Sequence, residues 1–336
     1  KPGEFDRVME AAGGRNNAYT SNDLTVYMDW FPRSALEQIF ELESDRLQNL
    51  AIDPDVVETE RSTVYSERRL RIDNDNFGRL YEQVRATAYI AHPYQNPVIG
   101  WPSDIENWTQ NDLESYFKTY YAPNNCTMVF AGAVSPEEVF QLADKFLRPI
   151  PAQAPPPPVR TVEPEQSGER RLVIETETQA PLLHLAFHAG RAADPETLHM
   201  NLLLNILTTG TSSRLHRLLV EDEQIALAVG AMQMEGFDPG LVYFYLTLPP
   251  GGDIEAAESR VREELSRIAA EGVTSAELTK AKNILLADFW RSLATIDGKA
   301  AALGDFAVFT GSYENLFSMP EEINTTTSAQ LQAVAA

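Results

Sequence analysis

Glu60 and Glu67 carry the first hint of chemistry in this chain. They lie in the run Glu60-Arg61-Ser62-Thr63-Val64-Tyr65-Ser66-Glu67, behind Asp53-Pro54. Asp then Pro suits the N-cap and first position of a helix, so the run is expected to be helical to about Arg71. A spacing of seven is almost two α-helical turns, which puts both carboxylates on one face and lets both point into one cavity. Acids placed this way can ligate a cation such as zinc. A zinc site needs further ligands, and no pair of histidines at helical spacing around a glutamate occurs in the 336 residues. Residue statistics alone also allow a solvated face paired with Arg61, Arg68 and Arg71.

A second candidate lies near the start, where Gly13-Gly14 favours a turn ahead of Asn16-Asn17-Ala18-Tyr19-Thr20, and Leu24 to Trp30 alternates as a strand does. The piece between turn and strand can form an edge strand with free backbone groups, or an ordinary strand with Asn in a turn. The histidines point elsewhere. His184 and His188 are four apart, but their run alternates as a strand, so a helical metal pair is not expected. His92, His199 and His216 read as packing or capping residues. Cys126, the only cysteine, excludes an internal disulfide framework and is expected to be a buried, inert thiol.

Several elements must position these residues. Ser34-Ala35-Leu36-Glu37 has a capping-box pattern, and Leu36, Ile39, Phe40, Leu47 and Leu50 follow at helical spacing. Leu113, Tyr116, Phe117 and Tyr120 form another helical stripe. Thr127 to Ala131 reads as a strand, and Ser135-Pro136-Glu137-Glu138 caps a helix through Leu147. Later, Arg171 to Thr176 and Leu182 to Ala189 read as strands and Leu198 to Leu207 as a helix.

The stretch from Pro149 to Gly168 holds Pro149, Pro151 and Pro155-Pro156-Pro157-Pro158. That proline density favours stiff, extended backbone, so residues 151–168 are expected to link two lobes, 1–150 and 169–336. The lobes repeat one another. Asp53 to Glu67 aligns with Thr274 to Asp288 at an offset of 221, and Pro102 to Leu113 with Pro320 to Leu331 at 218. By that offset, about fifty residues of the first lobe would precede Lys1, and the end of the second lobe would follow Ala336.

A formal charge of −22 argues against a nucleic-acid partner and favours neutral or basic ones. No apolar stretch reaches the roughly 20 residues of a membrane span, so no span is expected. Lys1 begins without Met or a signal-peptide pattern, which leaves the compartment, cytoplasm or periplasm, open.

Taken together, Gly13 to Thr20, Glu60 to Glu67, His92-Pro93-Tyr94, Tyr121-Ala122-Pro123-Asn124-Asn125 and Ser212-Ser213-Arg214-Leu215 resemble the pitrilysin/insulinase family of zinc peptidases. The half-size bacterial branch similar to mitochondrial processing peptidase is the nearest likeness. The resemblance implies an α+β fold of two homologous lobes, each an antiparallel-rich sheet backed by helices, with two chains enclosing a chamber. It implies an inverted zinc motif, His-x-x-Glu-His, with a carboxylate about 75 residues downstream as third ligand. Glu67 matches that carboxylate and Glu60 the supporting acid; counting back places the motif roughly ten to fifteen residues before Lys1. Asn17, Ala18, Tyr19 and Thr20 match the edge strand that binds an extended peptide through its backbone.

One departure matters. The family carries a substrate-contacting Arg and Tyr seven residues apart after the Ser-Ser-Arg-Leu turn, and this chain has Val220 and Leu227 there. A second, homologous subunit is expected to supply that pair. The expected activity is a zinc-dependent endopeptidase subunit acting on unfolded peptides. The alternatives are a silent scaffold of the same fold and a peptide-binding module without turnover.

Overall fold

The computed structural model describes residues 3–336. Helix α1 (Glu4–Ala11) ends in the glycine pair. Gly13 takes φ 79°, and a Cβ on Gly14 would lie 2.6 Å from Met9 Sδ, so this turn into β1 needs both glycines. Strands β1 (Arg15–Thr20) and β2 (Thr25–Trp30) form an antiparallel hairpin in register Arg15 to Trp30 and Ala18 to Tyr27.

Helix α2 (Leu36–Asn49) buries Leu36, Ile39 and Phe40. Ser34 does not close the expected capping box: it sits inside a 3-10 turn, Arg33–Ala35, and its side chain makes no capping bond. Helix α3 (Pro54–Arg68) starts where Asp53-Pro54 predicts, with Asp53 extended at the N-cap but its side chain unused. A π turn, Arg69–Asp73, continues it. Helix α4 (Asn76–Ala88) is capped by the Asp75 carboxylate, which accepts the Gly78 N–H at 2.6 Å. Then come α5 (Pro102–Asn107), α6 (Gln110–Tyr120), closed by a Thr109/Asp112 capping box, and α7 (Pro136–Phe146), capped by Ser135.

The second half holds β3 (Leu182–His188), α8 (Glu196–Thr208), the single turn α9 (Arg214–His216), β4 (Ala228–Met234) and β5 (Leu241–Thr247). It ends with α10 (Ile254–Glu271), α11 (Ser275–Ser292), α12 (Ile296–Phe309), α13 (Met319–Thr325) and α14 (Ser328–Ala335). The sheet order is β3-β5-β4, all antiparallel. Its core joins Leu202, Leu203 and Leu207 of α8 to Val242, Phe244 and Leu246 of β5, Val261 and Ile268 of α10, and Leu331 of α14. Each such side chain contributes about 1.5–3 kcal/mol by leaving water. The succession α3, α5, α6 recurs as α11, α13, α14, and α11 carries its own capping box, Thr274 with Glu277. No helix among the described residues is long and apolar enough to cross a membrane.

Three further expectations differ from the structure. Residues 127–131 and 171–176 form no strand and have no ladder partner among the described residues. Side chains hold them instead: Phe130 stacks on Phe40 at 4.9 Å, and Arg171 grips Glu258 with two bonds of 2.8 and 2.7 Å. Cys126 is exposed rather than buried, because its segment lies on the surface.

The two halves exchange packing. Tyr81, Val84 and Ala88 of α4 leave the first half and pack with Ala186 of β3 and buried Tyr243 of β5. In return, Ile296 of α12 meets Gly132, and Gly304 faces Val129, in the first half. The segment 151–168 has no helix or strand, yet it is tied down. The Glu163 carboxylate accepts the N–H groups of Ile90, Ala91 and His92, each at 2.9 Å. Burial alone would raise its pKa, but these three bonds and Arg170 hold it below the usual carboxylate value.

His184 sits on β3 against Phe77, with ring centroids 4.8 Å apart, and neither ring nitrogen has a hydrogen-bond partner among the described residues. Burial pushes its pKa down to about 4. The folded state therefore resists a proton that the unfolded chain accepts near 6.5, so stability falls as pH drops from about 6.5 toward 4. Replacing His184 with Phe removes this loss. Urea denaturation at pH 7.5 and pH 5 should show the wild type losing roughly 2 kcal/mol more than His184→Phe over that interval.

Candidate functional site

Two elements carry the candidate residues, β1 and α3. The geometry of β1 follows from one bond at the hairpin turn. Ser21 N–H donates to Leu24 O at 2.8 Å, making Ser21 and Leu24 a hydrogen-bonded pair. Antiparallel pairing alternates, so Tyr19, Asn17 and Arg15 bond inward to β2, while Thr20, Ala18 and Asn16 turn their backbone groups to the open edge. All six residues of β1 are exposed. The outward Ala18 N–H is taken by the side-chain oxygen of Asn17 at 2.9 Å, a local bond that an incoming backbone carbonyl can replace.

Acidic side chains of α12 stand close to this strand. Burial raises the pKa of Tyr19, and the nearby charge of Asp305 raises it further. Asp297, held low first by its hydrogen bond from Thr295, also feels Arg15. Behind the hairpin, burial pushes Glu43 up to about 7 beside Asp29 and against the opposing pull of Arg46. Arg46 lies 3.9 Å from the Tyr27 ring centroid, and the Tyr27 and Tyr121 hydroxyls are 2.8 Å apart.

On α3, Glu60 is exposed, and Glu67 is 43% exposed with its carboxylate 3.1 Å from Arg71 Nη2. Arg61 instead pairs with Glu58 and donates to Trp108 O at 2.6 Å. Thr59, Ser62, Thr63 and Ser66 bond back to carbonyls four residues earlier and, with Glu58, line an open recess of about 560 Å³. Glu60 and Glu67 do not line it. Helix α3 packs on α5 and the π turn, whereas β1 packs on α1 and β2, so the two candidate elements have separate supports.

The residues present do not by themselves fit a zinc ion. Among the described residues, no three His, Cys, Asp or Glu side chains gather where a metal could sit. A lone carboxylate falls short of the three protein ligands a catalytic zinc requires. His184 and His188 lie on β3, as their alternation predicts, and His92 is a cap: its Nδ1 accepts the Tyr94 N–H at 3.2 Å. Val220 lies in the π turn Arg217–Asp222 against the second core, and Leu227 is exposed.

Sequence reasoning missed the residue that anchors α3. Arg68, 4% exposed, makes two bonds to buried Glu82 of α4, at 2.7 and 3.1 Å, and donates to Gly100 O at 2.9 Å. In the sequence it looks like one more surface arginine after Glu67. The only local signal is faint: Glu82 lies off the apolar stripe of Tyr81, Val84 and Ala88, on the face that α4 buries with Gly78 and Arg85.

Comparison with known proteins places these features in context. Residues 1–101 match the family described as insulinase (peptidase family M16), and residues 107–285 match the one described as peptidase M16 inactive domain. The chain is 30% identical over 312 residues to a zinc protease, PqqE, of Helicobacter pylori, covering 92% of this chain and 70% of that protein. It is 26% identical over 315 residues to a probable mitochondrial-processing peptidase subunit beta of Schizosaccharomyces pombe, covering 90% of this chain and 68% of that one. The crystal structure of a protease from Helicobacter pylori superimposes with TM-score 0.93 at 28% identity, over 100% of this chain and 81% of that chain. That of a peptidase M16 inactive domain from Pseudomonas fluorescens gives 0.84 at 18%, over 99% and 79%.

The anchoring pair and the exposed acid differ sharply in what their loss should cost. Glu82→Ala strands a buried guanidinium and is expected to lower stability by about 3–5 kcal/mol. Glu67→Ala removes an exposed helix pair and should cost no more than about 0.5 kcal/mol. Chemical denaturation of the two variants beside wild type checks both, and equal losses would show that Arg68 is not the anchor.

Proposed function

The chain belongs to the insulinase family, peptidase family M16, and from that premise we propose that it is a subunit of a zinc-dependent endopeptidase that captures extended peptides along β1. One observation carries this reading: among the described residues β1 is paired on one side only, and Asn16, Ala18 and Thr20 turn their backbone groups to the other. An unfolded peptide adds there as a further strand. Backbone bonds supply affinity irrespective of sequence, and side chains of the strand supply preference. A folded substrate keeps its backbone bonds to itself and is not captured.

Asn17 to Thr20 are the capture residues in this proposal. Glu67 serves as one carboxylate ligand of zinc and Glu60 as the supporting acid; both are accessible, which a ligand requires. When bound, the metal would supply an activated water for amide hydrolysis. The imidazole ligands such a site needs are not beside Glu67 among the described residues. The net charge of −22 and the acids of α12 beside β1 favour basic peptides.

A partner belongs to the same proposal. Neither Val220 nor Leu227 can donate a side-chain hydrogen bond, so a second, homologous subunit contributes the substrate-contacting Arg and Tyr. The S. pombe relative is itself named as a subunit. The match of residues 107–285 to the inactive-domain description favours a second reading, a scaffold of the same fold without turnover.

Strand addition leaves a signature in peptide chemistry. A peptide bound at β1 and N-methylated at one amide at a time should lose affinity at alternate positions, by roughly tenfold per lost bond. Isothermal titration of the scan checks this, and uniform affinity at every position would end the capture proposal. For turnover, the full natural protein co-purified with its partner should cleave an unfolded peptide, stop on chelation, and lose metal on Glu67→Ala. Metal content unchanged by Glu67→Ala would remove the ligand role, and full activity from the isolated chain would remove the partner.

A further inference from the structure

The turn that ends β1 is tied to the other half of the molecule through Tyr94 and Asp23. Tyr94, 5% exposed, lies in the short turn Pro93–Gln95. Its hydroxyl donates to Asp23 Oδ2 at 2.6 Å, in the β1–β2 turn, and accepts the Asp238 N–H at 3.2 Å, in the connection between β4 and β5. The same Asp23 oxygen accepts the Phe237 N–H at 3.0 Å. One phenol and one carboxylate oxygen thus join two hairpin turns far apart in sequence.

The fit around this joint is close. A Cβ on Gly236 would lie 2.3 Å from Tyr94 Oη and 2.7 Å from Asp23 Oδ2, so only glycine lets the second turn come this near. Buried Arg85 of α4 donates to Asn22 Oδ1 at 2.9 Å and to Tyr94 O at 2.7 Å, which fixes the neighbouring turn residue and the Tyr94 backbone together. Tyr89 closes the far side by donating to Pro239 O at 3.0 Å.

We infer that Tyr94 is a positioning residue: through Asp23 it sets the open edge of β1 against the second half, so that the second half governs how the edge strand receives a peptide. The peptide part of this inference rests on the capture reading of β1; the coupling between the turns does not. Thr20, the last residue of β1, and Thr25, the first of β2, flank the Ser21–Leu24 turn directly, so a turn held at Asp23 holds both strands where they are needed. A turn released from Tyr94 leaves a two-stranded hairpin, and an isolated hairpin is marginal in water.

The test is hydrogen–deuterium exchange on the intact protein, with peptide affinity alongside. Tyr94→Phe keeps the ring and removes the hydroxyl. Exchange across residues 15–30 is expected to rise about tenfold with β3, β4 and β5 unchanged, and peptide affinity to fall about tenfold. Asp23→Ala should do the same. Asp23→Asn retains an oxygen able to accept both bonds and should restore wild-type exchange, which guards against a Tyr94 variant that fails to fold. Unchanged exchange in the hairpin, or a rise spread equally over all strands, overturns the inference. If wild type binds no peptide, the capture reading fails, and the hairpin exchange still decides the coupling.

Discussion

Helix α4 carries its apolar stripe to the boundary between the two halves. Tyr81, Val84 and Ala88 gain their burial against β3 and β5, where Tyr243 is almost fully enclosed. A helix has one apolar stripe, so spending it on the other half makes the two halves a single packing problem. The rest of the joint is built from the ends and the polar face of the same helix. Glu82 holds α3 through Arg68, and Arg85 holds the β1–β2 turn through Asn22. At its C-terminus, Arg170 donates to Thr87 O at 3.0 Å, satisfying a carbonyl that the helix leaves free. Removing α4 from its seat would disturb both candidate elements at once, although neither touches the other extensively.

This arrangement explains why residues 151–168 do not behave as a loose tether. Proline sets the backbone extended but gives it nothing to bind. The bonds come from residues between and beyond the prolines. Gln153 exchanges two bonds of 3.0 Å with Asn124, Glu163 collects three amide N–H groups, and Arg170 closes the end of α4. A carboxylate with three backbone donors is among the stronger neutral-to-charged arrangements available, since each bond is charge-assisted. The strap therefore follows the joint rather than spanning it freely.

How much could be read beforehand depended on whether the responsible force was local. The starts of α3, α6 and α7 and the strand at β3 were legible because caps, Pro at the first position and alternation act within a few residues. Ser34 misled because a 3-10 turn with the same residue types competes with a capping box. Residues 127–131 and 171–176 have strand composition, but a strand exists only with a partner, and pairing is not written in one segment. The candidate residues Asn17 to Thr20 and Glu67 were located by spacing and resemblance. Arg68, Tyr94 and Glu163 were not assigned roles, because a buried charge or phenol is defined by partners that are 14 to 73 residues away.

Helix α3 divides anchoring from availability between adjacent residues. Arg68 is sealed with Glu82, and a buried pair resists separation because either charge left alone would be stranded out of water. Glu67, one residue earlier and therefore about 100° around the helix, is partly exposed and pairs with Arg71 one turn on. An exposed pair of that kind is worth a few tenths of a kcal/mol, so the carboxylate can change partner at little cost. Arg68 helps to fix the helix while its neighbour stays free to change partner. A ligand or a supporting acid needs both properties, and a merely solvated helix face needs neither.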